Sequence, residues 1–127
     1  MITVSVYNQS NFPIKASEVK RVVKKTLEEN GMVSDCEVEV ALVSESKMDE
    51  LNKEYYKDEE YIHPVFTFPE TEGQFVFPPD GKIHLGEIVI SYQAVVDRAK
   101  EGGKLIDEVV KELVQHGTQH LVGIHHD

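Results

Sequence analysis

The chain has one cysteine, no tryptophan and no apolar run as long as a membrane span. With Cys36 standing alone, neither an internal disulfide nor a cysteine-built zinc knuckle can form, so histidine and carboxylate are the available metal ligands. The missing apolar run argues against a membrane partner. Residues 1–6 lack the basic region and apolar segment of a secretory leader, and the expectation is a cytoplasmic protein. Basic residues are scarce as well: 13 Lys and Arg face 23 Asp and Glu, for a formal net charge of -10. That balance argues against a protein that coats nucleic acid with a broad basic surface, and no DNA partner is expected, although a local groove stays compatible with it. The two basic concentrations, Lys20, Arg21, Lys24 and Lys25 and then Arg98, Lys100 and Lys104, read as solvated helix faces.

What is present suits one domain over 1–127. The length of 127 residues allows a sizeable core, and 40% hydrophobic with 28% charged residues is an ordinary globular balance. Ile2, Val4 and Val6 alternate with polar residues over 2–7 and predict a strand, which Asn11-Phe12-Pro13 breaks. Val19, Val22, Val23 and Leu27 predict a helix over 16–30 that Asn30-Gly31 stops. Over 37–43, Val38, Val40 and Leu42 alternate with Glu37, Glu39 and Ala41 as a second strand. Met48, Leu51, Asn52 and Tyr55 carry the spacing of a short helix, and the polar residues 56–62 read as a loop into an apolar strand at 64–68. A further apolar piece at 74–77, followed by Pro78-Pro79-Asp80-Gly81, predicts a hairpin into a strand over 82–90. Ser91 is placed to cap a helix that Gly102-Gly103 ends. The last helix begins near Leu105, with Leu105, Ile106, Val109, Val110, Leu113, Gly117, His120 and Leu121 expected to face inward, so that its histidines are buried. The order β-α-β-α-β-β-β-α-α predicts an α/β (α+β) fold, a mixed β-sheet packed with helices. Cys36 reads as a small buried residue at a strand start, and His84 as structural or exposed.

Four of the six histidines fall in the last twelve residues: His116, His120, His125 and His126. At about 100° per residue, His116 and His120 share one face of a helix, one turn apart, and two imidazoles can reach one cation. Gly123 can end the helix and turn the chain back, bringing either His125 or His126 as a third nitrogen ligand and leaving an open coordination position for water or substrate. The metal site is therefore expected on the C-terminal helix. The spacing His116, His120, Gly123, His126 is that of the metzincin proteases, but the position after the first histidine, where zincins carry a glutamate base, is Gly117. The missing base argues against peptide hydrolysis by that route. A glycine there either admits a bulky substrate to the metal face or lets the helix pack closely.

The same segment resembles the signature of the YbeY endoribonucleases, bacterial rRNA maturation factors: His-Gly-x-x-His-Leu-x-Gly-Tyr-Asp-His. His116, Gly117, His120, Leu121, Gly123 and His126 match it in register, with Ile124-His125 in place of Tyr-Asp. Upstream, Leu51-Asn52-Lys53-Glu54-Tyr55 is similar to the family's Leu-Asn-x-x-Tyr-Arg. Val65-Phe66-Thr67-Phe68-Pro69 is similar to its Val-Leu-Ser-Phe-Pro, and Leu85-Gly86-Glu87-Ile88-Val89-Ile90-Ser91 to its Leu-Gly-Asp-Ile-Val-Ile-Ser. The resemblance implies one zinc ion per chain on His116, His120 and His126. It also implies cleavage of single-stranded RNA, with rRNA and ribosomal particles as partners, in 16S rRNA 3′ end processing and ribosome quality control. Tyr56 stands where the family arginine holds a phosphate, and Lys57 beside it supplies a positive charge; His116 and Lys57 are the catalytic candidates. Two other functions fit the residues: a catalytically silent assembly factor with a structural zinc, and a metallohydrolase of a small phosphoester or amide.

Overall fold

Strand β2 (Cys36–Val43) sets the architecture, because it is apolar on both sides over its second half. Val38, Val40 and Leu42 are fully buried on one face, and Ala41 and Val43 are buried on the other. Such a strand belongs in the middle of a sheet covered on both faces, the usual setting for parallel strands. A computed structural model of the chain, describing residues 2–9, 11–32, 35–55, 65–69 and 83–122, places it there. β1 (Ile2–Asn8) and β4 (Ile83–Ser91) flank β2, both parallel to it, and β3 (Val65–Pro69) pairs antiparallel with β4 at the edge. The order β1-β2-β4-β3 makes the mixed sheet expected from the sequence.

Helices α1 (Ala16–Glu29), α3 (Tyr92–Gly102) and α4 (Ile106–Leu121) supply the main core, in which Val19, Val23 and Leu27 of α1 meet Val38, Val40, Ile88 and Ile90 of the sheet. The shorter α2 (Glu45–Tyr55) covers part of the other face, where Met48 packs with Ala41, Val43 and Val89. One irregularity makes the core contiguous. Leu85, Ile88 and Ile90 all belong to the main cluster, although strict alternation would send Leu85 to the opposite face from the other two. The register slips between Glu37 and Val38, which pair with His84 and Gly86, and the extra residue restores Leu85 to the helix side.

The ends of α3 follow the sequence reading: Ser91 Oγ accepts from the Ala94 N–H at 3.2 Å, and Gly103 takes a left-handed conformation at φ 62°. α4 also begins where expected, with Leu105 as its N-cap, but Leu105 does not face inward: standing ahead of the helical repeat it is 69% exposed, and Val114 and Thr118 fill the core instead. The 74–77 piece and its hairpin lie outside the described residues, within which β3 is the antiparallel neighbour of β4. The Lys20, Arg21, Lys24 and Lys25 group is exposed, as read, with Arg21 paired to Glu18 and Lys25 to Glu29. No helix among the described residues is long and apolar enough to cross a membrane.

Candidate metal centre

Helix α4 divides into three flanks. One turns toward α1: Lys111 Nζ lies 3.4 Å from Glu18 Oε2, and Thr118, two turns further along that side, is fully buried with its hydroxyl donating to the Val114 carbonyl at 2.7 Å. The second faces the sheet at Gly117, where a Cβ would stand 2.7 Å from Ile88 Cγ2. His116 and His120 lie about 100° and about 60° round the helix from Gly117, on the side away from Thr118. They form the third flank.

On that flank the two Nε2 atoms converge to 2.9 Å, with ring centroids 4.4 Å apart and ring planes at 74°. Two nitrogens bound to one tetrahedral zinc, at about 2.0–2.1 Å each, stand about 3.3 Å apart. The pair therefore needs to open by only a few tenths of an ångström to share a cation. His120 also lies in the last turn of α4, where unpaired backbone carbonyls favour positive charge. The donor chemistry and the spacing both fit a soft-to-borderline divalent ion.

The histidines are not buried, contrary to the sequence reading. His116 is exposed and His120 half-buried, because Val110, Leu113, Val114, Gly117 and Thr118 occupy the inward side and leave the histidines on the rim. Among the described residues, no third His, Cys, Asp or Glu completes a ligand group with them. His125 and His126 lie outside the described residues, as do Tyr56 and Lys57.

The family model described as Endoribonuclease YbeY matches residues 5–127. The chain belongs to that family. It is 30% identical to the Endoribonuclease YbeY of Roseiflexus castenholzii over 128 residues, covering 100% of this chain and 80% of that protein. It is 27% identical to the Endoribonuclease YbeY of Acinetobacter baumannii, covering 95% of this chain and 76% of that protein. Its fold resembles the solution structure of TM1509 from Thermotoga maritima, with a TM-score of 0.56 and 29% identity, covering 100% of this chain and 75% of that one.

Within this YbeY chain, the two roles open for Gly117 are separated by its surroundings. It lies buried against Ile88, so it is a packing glycine, and a side chain at that position would drive into β4 rather than toward the histidines. The zincin glutamate has no place in this geometry. Cys36 is fully buried at the start of β2, as expected, and burial pushes its thiol up from the ordinary value. His84 is half-buried, its Nδ1 lying 3.4 Å from Glu37 Oε2 across β4 and β2. Sequence reasoning missed Glu87, whose carboxyl is pushed up by burial and then by Glu39, its partner in the β2–β4 register. The only local signal was a carboxylate inside the apolar run 85–90, and the register that sets Glu39 beside it is not a local property.

Proposed function

We propose that this YbeY family member is a zinc-dependent endoribonuclease for single-stranded RNA, acting in the cytoplasm on the 3′ end of 16S rRNA and on defective ribosomal particles. One zinc ion per chain is held by His116, His120 and His126, the last assigned from the family spacing. The convergence of the His116 and His120 Nε2 atoms to 2.9 Å, on a helix whose motif matches an endoribonuclease family, carries this reading. Bound there, the ion supplies a Lewis acid for a phosphoryl oxygen and a lowered pKa for the attacking water. The chain's own residues hold and orient. Gly117 sets the depth of α4 on β4 and thereby the height of the histidine pair above the sheet. Lys57 provides a point charge for a phosphate, without the two-pronged grip of an arginine.

Two measurements test this. Metal analysis of protein purified without a nickel column is expected to give one zinc per chain, lost in His116→Ala and His120→Ala. Incubation of the zinc-loaded protein with single-stranded RNA is expected to give internal cuts. Binding of ribosomal particles with no RNA cleavage by the loaded protein would replace the enzyme with a silent assembly factor. Turnover of small phosphoesters or amides, with RNA left intact, would replace it with a small-substrate hydrolase.

A further inference from the structure

The histidine flank of α4 overlooks a particular strip of the sheet. Its opposite flank faces α1, which packs on β1, while Gly117 rests on Ile88 of β4. In the order β1-β2-β4-β3, the element beyond β4 on the histidine side is β3, and α4 packs against β3 as well as β4. β3 presents its side chains there in a defined register: Thr67 stands opposite Ile88, and Val65 opposite Ile90. Directly paired residues point to the same face of a sheet. Thr67 therefore shares with Ile88 the face that α4 covers, and the packing of Val65 against the main core fixes the same side independently. Half-buried Thr67 thus lies on the edge strand, on the strip below the His116/His120 pair, and its hydroxyl has no hydrogen-bond partner among the described residues.

We infer that the Thr67 hydroxyl donates a hydrogen bond to a phosphate oxygen of the RNA strand held at the histidine pair. This rests on the endoribonuclease reading above and adds a substrate contact to it. Threonine hydroxyls are ordinary phosphate donors in nucleic-acid complexes. A neutral donor is of particular use on a chain of net charge -10, where positive groups are few. The competing explanation for Thr67 is that a β-branched residue suits a strand. Valine keeps that shape and removes the hydroxyl, whereas serine keeps the hydroxyl and removes the branch.

The experiment measures binding of a short labelled single-stranded RNA by fluorescence anisotropy, using metal-stripped full-length chain in chelator so that the strand stays intact. Zinc content after reloading is measured in parallel. Loss of one neutral hydrogen bond predicts that Thr67→Val weakens binding roughly three- to tenfold. Thr67→Ala is expected to weaken it by the same factor, and Thr67→Ser to stay within about twofold of the parent. All variants are expected to take up the same zinc. Unchanged binding in Thr67→Val and Thr67→Ala overturns the inference, as does a Thr67→Ser variant as weak as Thr67→Val. If the parent cleaves RNA while Thr67→Val matches it in binding and in KM, the contact fails and the ribonuclease reading stands. If the parent neither binds nor cleaves RNA, the ribonuclease reading fails and the contact goes with it.

Discussion

Gly117→Ala probes how the histidine pair is held. The new Cβ would stand 2.7 Å from Ile88 Cγ2, 3.3 Å from Cγ1 and 3.4 Å from Cδ1. The first distance is shorter than any stable contact, and Ile88 is fully buried in the main cluster, so it has little room to retreat. Overpacking of this kind costs about 1–3 kcal/mol. Against it stands the better helix propensity of alanine, worth about 1 kcal/mol. The net expectation is a loss of about 0–2 kcal/mol. A double-mutant cycle sharpens it. Ile88→Ala removes all three atoms that the new Cβ would meet, at its own cost of about 2–5 kcal/mol for the cavity. In that background Gly117→Ala loses the clash, keeps the helical gain, and is expected to be neutral or stabilising by up to about 1 kcal/mol. The coupling between the two positions is thus about 1–3 kcal/mol, well above the error expected for independent sites. Urea unfolding followed by circular dichroism of the four proteins measures it. Additive effects, with Gly117→Ala equally costly in both backgrounds, would refute the claim that this glycine exists to seat α4 on β4.

Two further predictions rest on single side chains. Ser91→Ala deletes the Oγ that accepts from the Ala94 N–H and is expected to destabilise the chain by about 0.5–2 kcal/mol in the same unfolding assay; no change would show that the cap contributes nothing. Glu87 binds its proton more tightly in the folded chain, chiefly through burial and then through Glu39, so its favourable contribution is present below the ordinary carboxylate range and disappears as pH rises through the elevated value. Glu87→Gln should therefore match the parent in thermal midpoint at the acid end and exceed it at neutral pH. A difference that is flat with pH, or that shrinks as pH rises, contradicts the assignment.

Local periodicity made α1, β1, β2 and the caps of α3 legible, since each depends on residues within a turn or two of one another. Non-local pairing was less accessible. The turn signal at 78–81 pointed to a strand at β4, but nothing along 83–91 announces that it lies parallel to β2 with an extra residue at Leu85. The burial of Ala41 and Val43 depends on α2 arriving on the second face. The candidate site divides in the same manner. Four residues' spacing was enough to place His116 and His120 on one helical flank, and the structure brings their nitrogens together. Which flank faces the sheet is a matter of packing, decided by Val110, Val114 and Gly117, and the inward-facing histidines expected from the sequence lie instead at the rim above β3. Glu87 and Thr67 stand in segments that match the family but received no role of their own, because their neighbours Glu39 and Ile88 come from other strands.

The central claim is most directly tested by titrating metal-stripped protein with zinc and following the initial rate of internal cleavage of a single-stranded RNA. The expected curve rises from no cleavage to a plateau with its break at one zinc per chain, and His120→Ala stays at the baseline throughout. Cleavage that persists in chelator, or that is the same in His120→Ala as in the parent, would contradict a reaction built on the His116/His120 pair.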